Sequence, residues 1–422
     1  MSKLETKTNN TPTLRFPEFS GEWEEKRLGE LDIYVSDGNY GEMYPKANEM
    51  KKEGVPFIRA NNIKGLKVVW DDMYFISTDL HNILQSGHLK AGDILVTTRG
   101  DIGMLAYVSD EFEGSNINAQ ICLLRVGKEL SPKFLLNYLS SQIGKKQFKQ
   151  LQTGSALKQL PKGNLAKIRV SSPTFLEQIK IASFLTSIDD WIENLKKQKE
   201  AQEKYKKGMM QKIFSQEIRF KDETGDEYPE WEEKRLGDYF NITSSKRVFQ
   251  SEWKNEGVPF YRAREIVKLA ENGFVNNSLF ISETMFREYK QKYGAPEPGD
   301  LLITGVGTLG RVYLVKDKNP FYFKDGNIIW LRTQHTVDSF YVAILFELRA
   351  IKKQILDNAS LSTVGTFTIE TAKKLKISVP IIGEQSKIAS FLSSLDDLIN
   401  LSNQRITQAE KWKKGVMQRV FV

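Results

Sequence analysis

The sequence has 422 residues, enough for two or three ordinary domains, with 40% hydrophobic and 27% charged residues, and no apolar run approaches the ~18–20 residues that a membrane span needs. Its first stretch, MSKLETKTNNTPTL, is polar and lacks the apolar core of a signal peptide, and Cys122 is the only cysteine, so an internal disulfide is excluded and a cytoplasmic location is expected. The formal net charge of +8 and the pI of about 9.1 tilt the expectation toward a polyanionic partner.

In chain order, Leu14-Arg15-Phe16 leads into the block Trp23-Glu24-Glu25-Lys26-Arg27-Leu28-Gly29, and a long polar connection follows from Ser36 to Asn48. Gly54-Val55-Pro56-Phe57-Ile58-Arg59-Ala60 comes next, then a Gly92-Asp93-Ile94-Leu95 block opening a strand at Ile94 to Thr97. Further strands are expected at Met104 to Val108 and Ile121 to Val126, and a helical pattern covers Pro132 to Gln150. After Pro173, Thr174-Phe175-Leu176-Glu177 fits a capping box at the head of a long helix that runs to Phe214.

The chain is then written a second time. Ile218-Arg219-Phe220 and the block at Trp231 to Gly237 return, as do Gly257-Val258-Pro259-Phe260-Tyr261-Arg262-Ala263 and Gly299-Asp300-Leu301-Leu302. Strands are expected at Leu301 to Thr304, Arg311 to Val315 and Ile328 to Arg332, and a helical pattern at Ser339 to Asn358. Glu177-Gln178 and Ile181-Ala182-Ser183-Phe184-Leu185 return as Glu384-Gln385 and Ile388-Ala389-Ser390-Phe391-Leu392, and this last block continues to Phe214 and Phe421 with about half its positions matching. A period of about 207 residues is far too long for a solenoid and marks duplication of a whole domain plus its following helix. The chain starts with the segment that should follow the second helix. Equivalent pieces packing equivalently therefore put the end of that helix beside the first domain, with the two helices antiparallel.

The expected fold class is mixed α/β: two globular domains joined by two long antiparallel coiled-coil helices, with a pseudo-two-fold internal repeat. The divisions are 1–173, 174–215 for the first helix, 216–380, and 381–422 for the second. The helices carry apolar residues at alternating steps of four and three, the seam of a coiled coil: Ile181, Leu185, Ile188, Ile192 and Leu195, then Ile388, Leu392, Leu395, Ile399 and Ile406. Lys199, Gln202, Ser402 and Lys413 interrupt it. Off the seam lie Phe184, Trp191, Tyr205, Phe391, Leu398 and Trp412, a stripe wider than a two-helix coil buries and a candidate partner-docking face.

Catalytic and metal chemistry find no motif. Gly305-Val306-Gly307-Thr308-Leu309-Gly310 fits a dinucleotide fingerprint, but the strand-like Arg311 to Val315 follows where a helix is required, so a turn between strands is expected. His81, His88 and His335 show no metal-ligand spacing, and Cys122 sits within an apolar strand pattern that marks it as core. What remains are side chains suited to base edges and phosphates. In the first copy these are Ser36, Gly38, Asn39, Tyr40, Arg59, Asn61, Asn62, Lys64, Thr98 and Arg99. In the second they are Ser244, Ser245, Lys246, Arg247, Arg262, Arg264 and Lys268. The copies diverge in these stretches while keeping their scaffold blocks, as two readers on one frame would. On the residues alone a duplicated scaffold that binds two protein partners and no DNA stays open.

The ordered, twice-repeated set of Trp-x-x-x-x-Leu-Gly at Trp23 and Trp231, Gly-Asp-Ile/Leu-Leu at Gly92 and Gly299, and Pro-x-x-x-Glu-Gln-x-x-Ile-Ala at Pro173 and Pro380 resembles the specificity subunit of type I restriction-modification systems. The resemblance covers nearly the whole chain. It implies a non-catalytic subunit whose two target-recognition domains each read half of a bipartite double-stranded DNA site, with the helices setting the spacing. It further implies two modification (methyltransferase) subunits docked on the helices and using S-adenosylmethionine, and restriction (translocase/nuclease) subunits using ATP and Mg²⁺. This chain would bind none of those cofactors itself.

Overall fold

The computed structural model describes residues 10–276, 279–359 and 365–422, so residues 1–9 of the polar N-terminal stretch lie outside the described part. Two compact units divide the chain: the residues up to Lys199 together with Ser402–Val422, and Glu200–Leu401. The end of the second long helix thus belongs to the first unit, as the repeat order requires.

Each unit is built on the same antiparallel four-strand frame. In the first unit its order is Ile33–Asp37, Ile121–Val126, Ile94–Thr97, Leu105–Tyr107; in the second, Phe240–Thr243, Ile328–Thr333, Leu301–Thr304, Val312–Leu314. The central strands are buried on both faces, which is why they read as unbroken apolar runs rather than alternating ones. The sheet edges differ. A hairpin, Ile63–Lys64 with Leu66–Val68, extends the first sheet alongside Leu105–Tyr107. In the second unit a helix, Ala263–Asn272, packs there instead.

The repeated blocks have physical causes. In the first, Trp23 and Leu28 are buried while Glu24–Arg27 forms an exposed strand pairing with Arg169–Ser172; Glu232–Arg235 pairs likewise with Lys376–Val379. Gly54 and Gly257 stand at φ +129° and +122°, and a Cβ on either would come within 2.4 Å of the carbonyl oxygen of Ile76 or Ile281. Only glycine fits there. The buried Asp93 carboxylate accepts from Arg125 at 2.8 and 2.7 Å and from the Lys90 amide, whereas buried Asp300 accepts from the Trp330 indole at 2.8 Å and from the Thr333 amide.

The glycine-rich Gly305 to Gly310 segment joins two strands, as expected, and the Thr304 hydroxyl ties it to the Thr308 carbonyl; Thr97 does the same for Asp101. The two helical stretches differ from expectation. Pro132 to Gln150 is two helices, Pro132–Ser140 and Gln142–Gln150, because Ser141 accepts from the Gly144 amide and caps the second. Ser339 to Asn358 likewise splits into Ser339–Leu345 and Arg349–Ala359.

The long helices span Phe175–Phe214 and Ile382–Val420. The capping box expected at Thr174 is not made, because the Glu177 carboxylate is taken elsewhere. Arg15 donates to both its oxygens, at 2.8 and 2.7 Å, and Glu177 is 1% exposed. Arg219 donates to Glu384 at 3.2 and 2.8 Å, the Trp231 indole adds a bond of 3.0 Å, and Glu384 is fully buried. Gln178 and Gln385 complete the latch: each accepts a backbone amide from its own domain, Ser131 or Asp338, and donates to the carbonyl of Pro173 or Pro380. The arginines arrive on equivalent segments. The Ile218 amide donates to Lys212 of the helix just ended, and the Leu14 amide donates to Arg419.

The seam is buried where the helices meet the cores. Ile181, Leu185, Ile188 and Ile192 join Ala409, Val416, Val420 and Phe421 in the first unit, and Met210 and Ile213 join Ile388 and Leu392 in the second. Ile406 is buried, whereas Leu195, Leu395 and Ile399 are half-buried. Lys413, which interrupts the sequence pattern, pairs with Asp189 at 2.5 Å, and the repeat-equivalent Lys206 pairs with Asp396 at 2.7 Å. With Lys196–Glu410 in the first unit, these pairs run in opposite directions along the two helices, so the helices are antiparallel.

Replacing Arg219 with Met would leave the buried Glu384 carboxylate with the Trp231 indole as its remaining side-chain donor. A loss of about 3 kcal/mol is expected in urea unfolding, with most of it recovered when Glu384 is also changed to Met. An unchanged midpoint in the single variant would contradict this role for the pair.

Candidate nucleic-acid interface

Within each unit the polar islands converge on one segment. In the first unit it is Ser115–Ile121. The Thr98 amide and hydroxyl both donate to the Gln120 carbonyl, at 2.7 and 3.1 Å, and the Asn118 amide donates to Ile58, next to Arg59. Gly38 is packed so closely that a Cβ would sit 2.2 Å from the Ile117 oxygen. In the second unit the counterpart is Tyr322–Ile328. Ser244 donates to Ile328 at 3.1 Å, Ser245 to Phe323 at 2.6 Å, and the Lys324 amide to Tyr261, next to Arg262.

The candidates divide between frame and surface. Ser36, Gly38, Asn62 and Thr98 are buried and belong to the frame. Asn62 accepts from the Arg59 amide at 3.0 Å and donates to Asp71 at 2.7 Å, so its amide holds a turn together. Tyr40 also belongs to the frame. Its hydroxyl donates to the Ile117 carbonyl at 2.8 Å, its ring packs near Tyr44 and Phe57, and burial pushes its pKa up to about 12. Ser244 and Ser245 spend their hydroxyls on the backbone bonds just described. Arg59 lies 3.5 Å over the Tyr74 ring and donates to Asp72, and Arg262 chelates Glu265. Both arginines are positioned by neighbours before any ligand arrives. Burial raises the Glu265 pKa, but Arg262 and Arg264 outweigh it and hold the carboxyl below its ordinary value.

The exposed remainder is cationic or amide-bearing. Asn39, Asn61, Lys64 and Arg99 lie at the surface of the first unit; Lys64 pairs with Asp71 at 2.9 Å and Asn61 donates to Asp72 at 3.2 Å. Lys246, Arg247, Arg264 and Lys268 lie at the surface of the second, with Arg247 on Asp325 at 2.8 Å. Arg264 and Lys268 stand one turn apart on the outer side of the Ala263–Asn272 helix, whose other side buries Ile266 and Leu269. A helix of this kind can enter the major groove, and Arg and Lys there match the acceptors of guanine. Gln120, exposed at the centre of the first convergence, was not among the sequence candidates; no local motif marks it, and only the tertiary bond from Thr98 brings it in.

On the long helices, Phe184 and Phe391 are partly covered by the chain itself. Their rings meet Phe16 and Phe220 at 5.7 and 5.8 Å, and Phe184 also packs edge-on against Trp412 at 6.4 Å. Trp191, Tyr205, Leu398 and Trp412 are exposed, and Trp191 packs edge-on against Trp412 at 6.3 Å. Among the described residues no group of three His, Cys, Asp or Glu could hold a metal ion, and no helix is long and apolar enough to cross a membrane. Cys122 is core, and burial raises its thiol pKa to about 11.

A family model described as the type I restriction modification DNA specificity domain matches the chain twice, over residues 20–203 and 228–411. A putative type I restriction enzyme specificity subunit of Methanocaldococcus jannaschii is 26% identical, covering 97% of this chain and 95% of its own length. A putative specificity subunit of Haemophilus influenzae is 32% identical over 39% of this chain and 40% of its own. Among solved structures, the S subunit of a type I restriction-modification system from M. genitalium shares the fold, with a TM-score of 0.58 at 18% identity over 98% of this chain and 99% of that one.

Two substitutions separate frame from surface. Asn62→Ala is expected to cost about 2 kcal/mol in urea unfolding, since it leaves the Arg59 amide and the Asp71 carbonyl unpaired. Lys268→Ala should change stability by less than about 0.5 kcal/mol and lower the slope of log affinity against log salt for duplex DNA by about one. The reverse assignment of effects would contradict this division.

Proposed function

The chain belongs to the type I restriction modification DNA specificity family, and we propose that within it each unit reads one half of a split double-stranded DNA target. It is a specificity subunit, a non-catalytic member of its system. The observation that carries the division of labour is the contrast between a repeated frame and unlike readers. The same four strands recur, yet a hairpin follows Arg59 where a ten-residue helix follows Arg262. Different elements at one place on one frame suit different base sequences, and the exposed Arg99, Arg264 and Lys268 supply groups for base edges and phosphates.

In this proposal the long helices set the separation of the half-sites. Two modification subunits dock on them, using Trp191 with Trp412 and Tyr205 with Leu398. Those subunits would methylate adenine with S-adenosylmethionine, and restriction subunits would use ATP and Mg²⁺ in a cytoplasmic complex. This chain contributes orientation: the buried Arg15–Glu177 and Arg219–Glu384 pairs fix each unit to the head of a helix.

Expressing the chain with a cognate modification subunit in a methylation-free host and sequencing the native DNA tests the proposal. A split motif carrying modified adenines, absent without this chain, is the expected result. A stable complex that leaves no motif would count against DNA reading and favour a scaffold.

A further inference from the structure

The most exposed large apolar side chain among the described residues is Leu157, at 89%. Single exposed leucines are ordinary on protein surfaces and need no explanation by themselves. The setting of this one is different. It sits in a short hairpin closed by reciprocal backbone bonds between Thr153 and Gln159, at 2.8 and 2.9 Å. The base of the hairpin is anchored: the Leu160 amide donates to Thr98 at 2.9 Å, Leu160 is buried in the core, and Gln159 forms a bridge with Arg99. The hairpin therefore stands on the strand end that also bonds to Gln120, at the edge of the convergence described above.

The charge along the chain on either side of it is one-sided, with the exposed Asp101 two residues from Arg99 as the acid at its base. From Leu130 through Leu176 the sequence holds no Asp or Glu and eight Lys or Arg, whereas the equivalent stretch from Val337 through Gly383 holds four acids and six bases. Lys145, Lys146, Lys149 and Lys158 are exposed and form no ion pair with a carboxylate among the described residues, and Arg99, also exposed, bridges Gln159 next to Lys158. A protein partner would have to neutralise these cations, whereas the phosphates of a duplex do so directly and release counterions. An apolar side chain presented on an anchored turn among such cations has the design of a groove-inserting wedge.

Resting on the proposal that the first unit reads DNA, the geometry points to the Thr153–Gln159 hairpin as a DNA-deforming wedge, with Leu157 entering between base pairs and Arg99, Lys149 and Lys158 holding the flanking phosphates. Its specificity is indirect: base steps that unstack easily accept the wedge at lower cost, so this hairpin discriminates sequence without hydrogen-bonding to any base.

The test uses the full chain assembled with its modification subunits, and duplexes carrying the mapped target with 2-aminopurine placed in turn at each step of the half-site read by the first unit. With the wild-type complex a rise in 2-aminopurine fluorescence is expected at one step. Leu157→Ala should abolish that rise and weaken target binding about tenfold, while Lys158→Ala should keep the rise and lower the salt slope by about one. Because Leu157 contributes nothing to the core, these changes are not expected to disturb folding. A wild-type complex that discriminates target from non-target duplexes but shows no unstacking at any step, or a Leu157→Ala complex with unchanged affinity and fluorescence, would overturn the wedge alone. So would a Leu157→Ala chain that assembles poorly with modification subunits yet binds DNA normally once assembled, because the leucine would then be a protein contact. A wild-type complex that binds target and non-target duplexes equally would overturn the DNA reading, and the wedge with it.

Discussion

A carboxylate buried at the head of a helix must be met by a cation held in place, and Glu177 and Glu384 impose that condition on the whole chain. The helix N-terminus favours their charge, but burial removes the water that would otherwise solvate it, so a bidentate arginine is required. Arg219 reaches Glu384 because its segment directly follows the first long helix. Arg15 can reach Glu177 in the same way only if the chain start lies against the end of the second long helix, and the bond from the Leu14 amide to Arg419 is that contact. The Glu-Gln pair, the most conspicuous repeated motif, is thus a structural latch. Glutamate binds the arriving segment, and glutamine binds the domain that has just been completed.

With the frame fixed in this way, the reading surface is free to differ. The segments Ser115–Ile121 and Tyr322–Ile328 hold the polar islands of both units through backbone carbonyls, which any sequence supplies. Side chains on the outer surface can therefore change without loosening the islands. The hairpin after Arg59 and the helix after Arg262 show how far that freedom extends. One adds strands to the sheet edge and the other packs across it, each on a buried face of its own: Ile63 and Val68 in the first, Ile266 and Leu269 in the second.

Much of the fold was legible because duplication prints it twice. Three of the four frame strands in each copy, the strand–turn–strand nature of the Gly305 to Gly310 segment, and the long helices with buried Ile181, Leu185, Ile388 and Leu392 followed from pattern, whereas the edge strands Ile33–Asp37 and Phe240–Thr243 did not. Side-chain partners were less legible. Thr174 and Glu177 have the spacing of a capping box, but a guanidinium from residue 15 offers two charge-assisted bonds and outcompetes one backbone amide. Lys413 looked like a break in the seam and is half of an ion pair whose partner, Asp189, lies on the other helix. The candidate interface was half legible. Composition marks Ser36, Asn62 and Thr98 as polar, yet a polar side chain serves a turn as readily as a ligand, and the bonds that decide between them are tertiary. The acid-free stretch around Leu157 needed no structure to be seen; its meaning needed the anchored hairpin.

The account rests on the claim that the frame is common and the readers are exchangeable. Glu24 pairs with Ser172 and Glu232 with Val379, so residues 24–172 and 232–379 begin and end on the same rung of equivalent two-stranded sheets. The most direct measurement is therefore a methylation map of a chain in which residues 232–379 are replaced by a second copy of 24–172, which carries the Thr153–Gln159 hairpin with the strand frame. If the frame is common, the modified motif becomes symmetric, with the first half-site repeated in inverted orientation and the second gone. A folded, assembled chimera that still modifies the original asymmetric motif, or none, would contradict it.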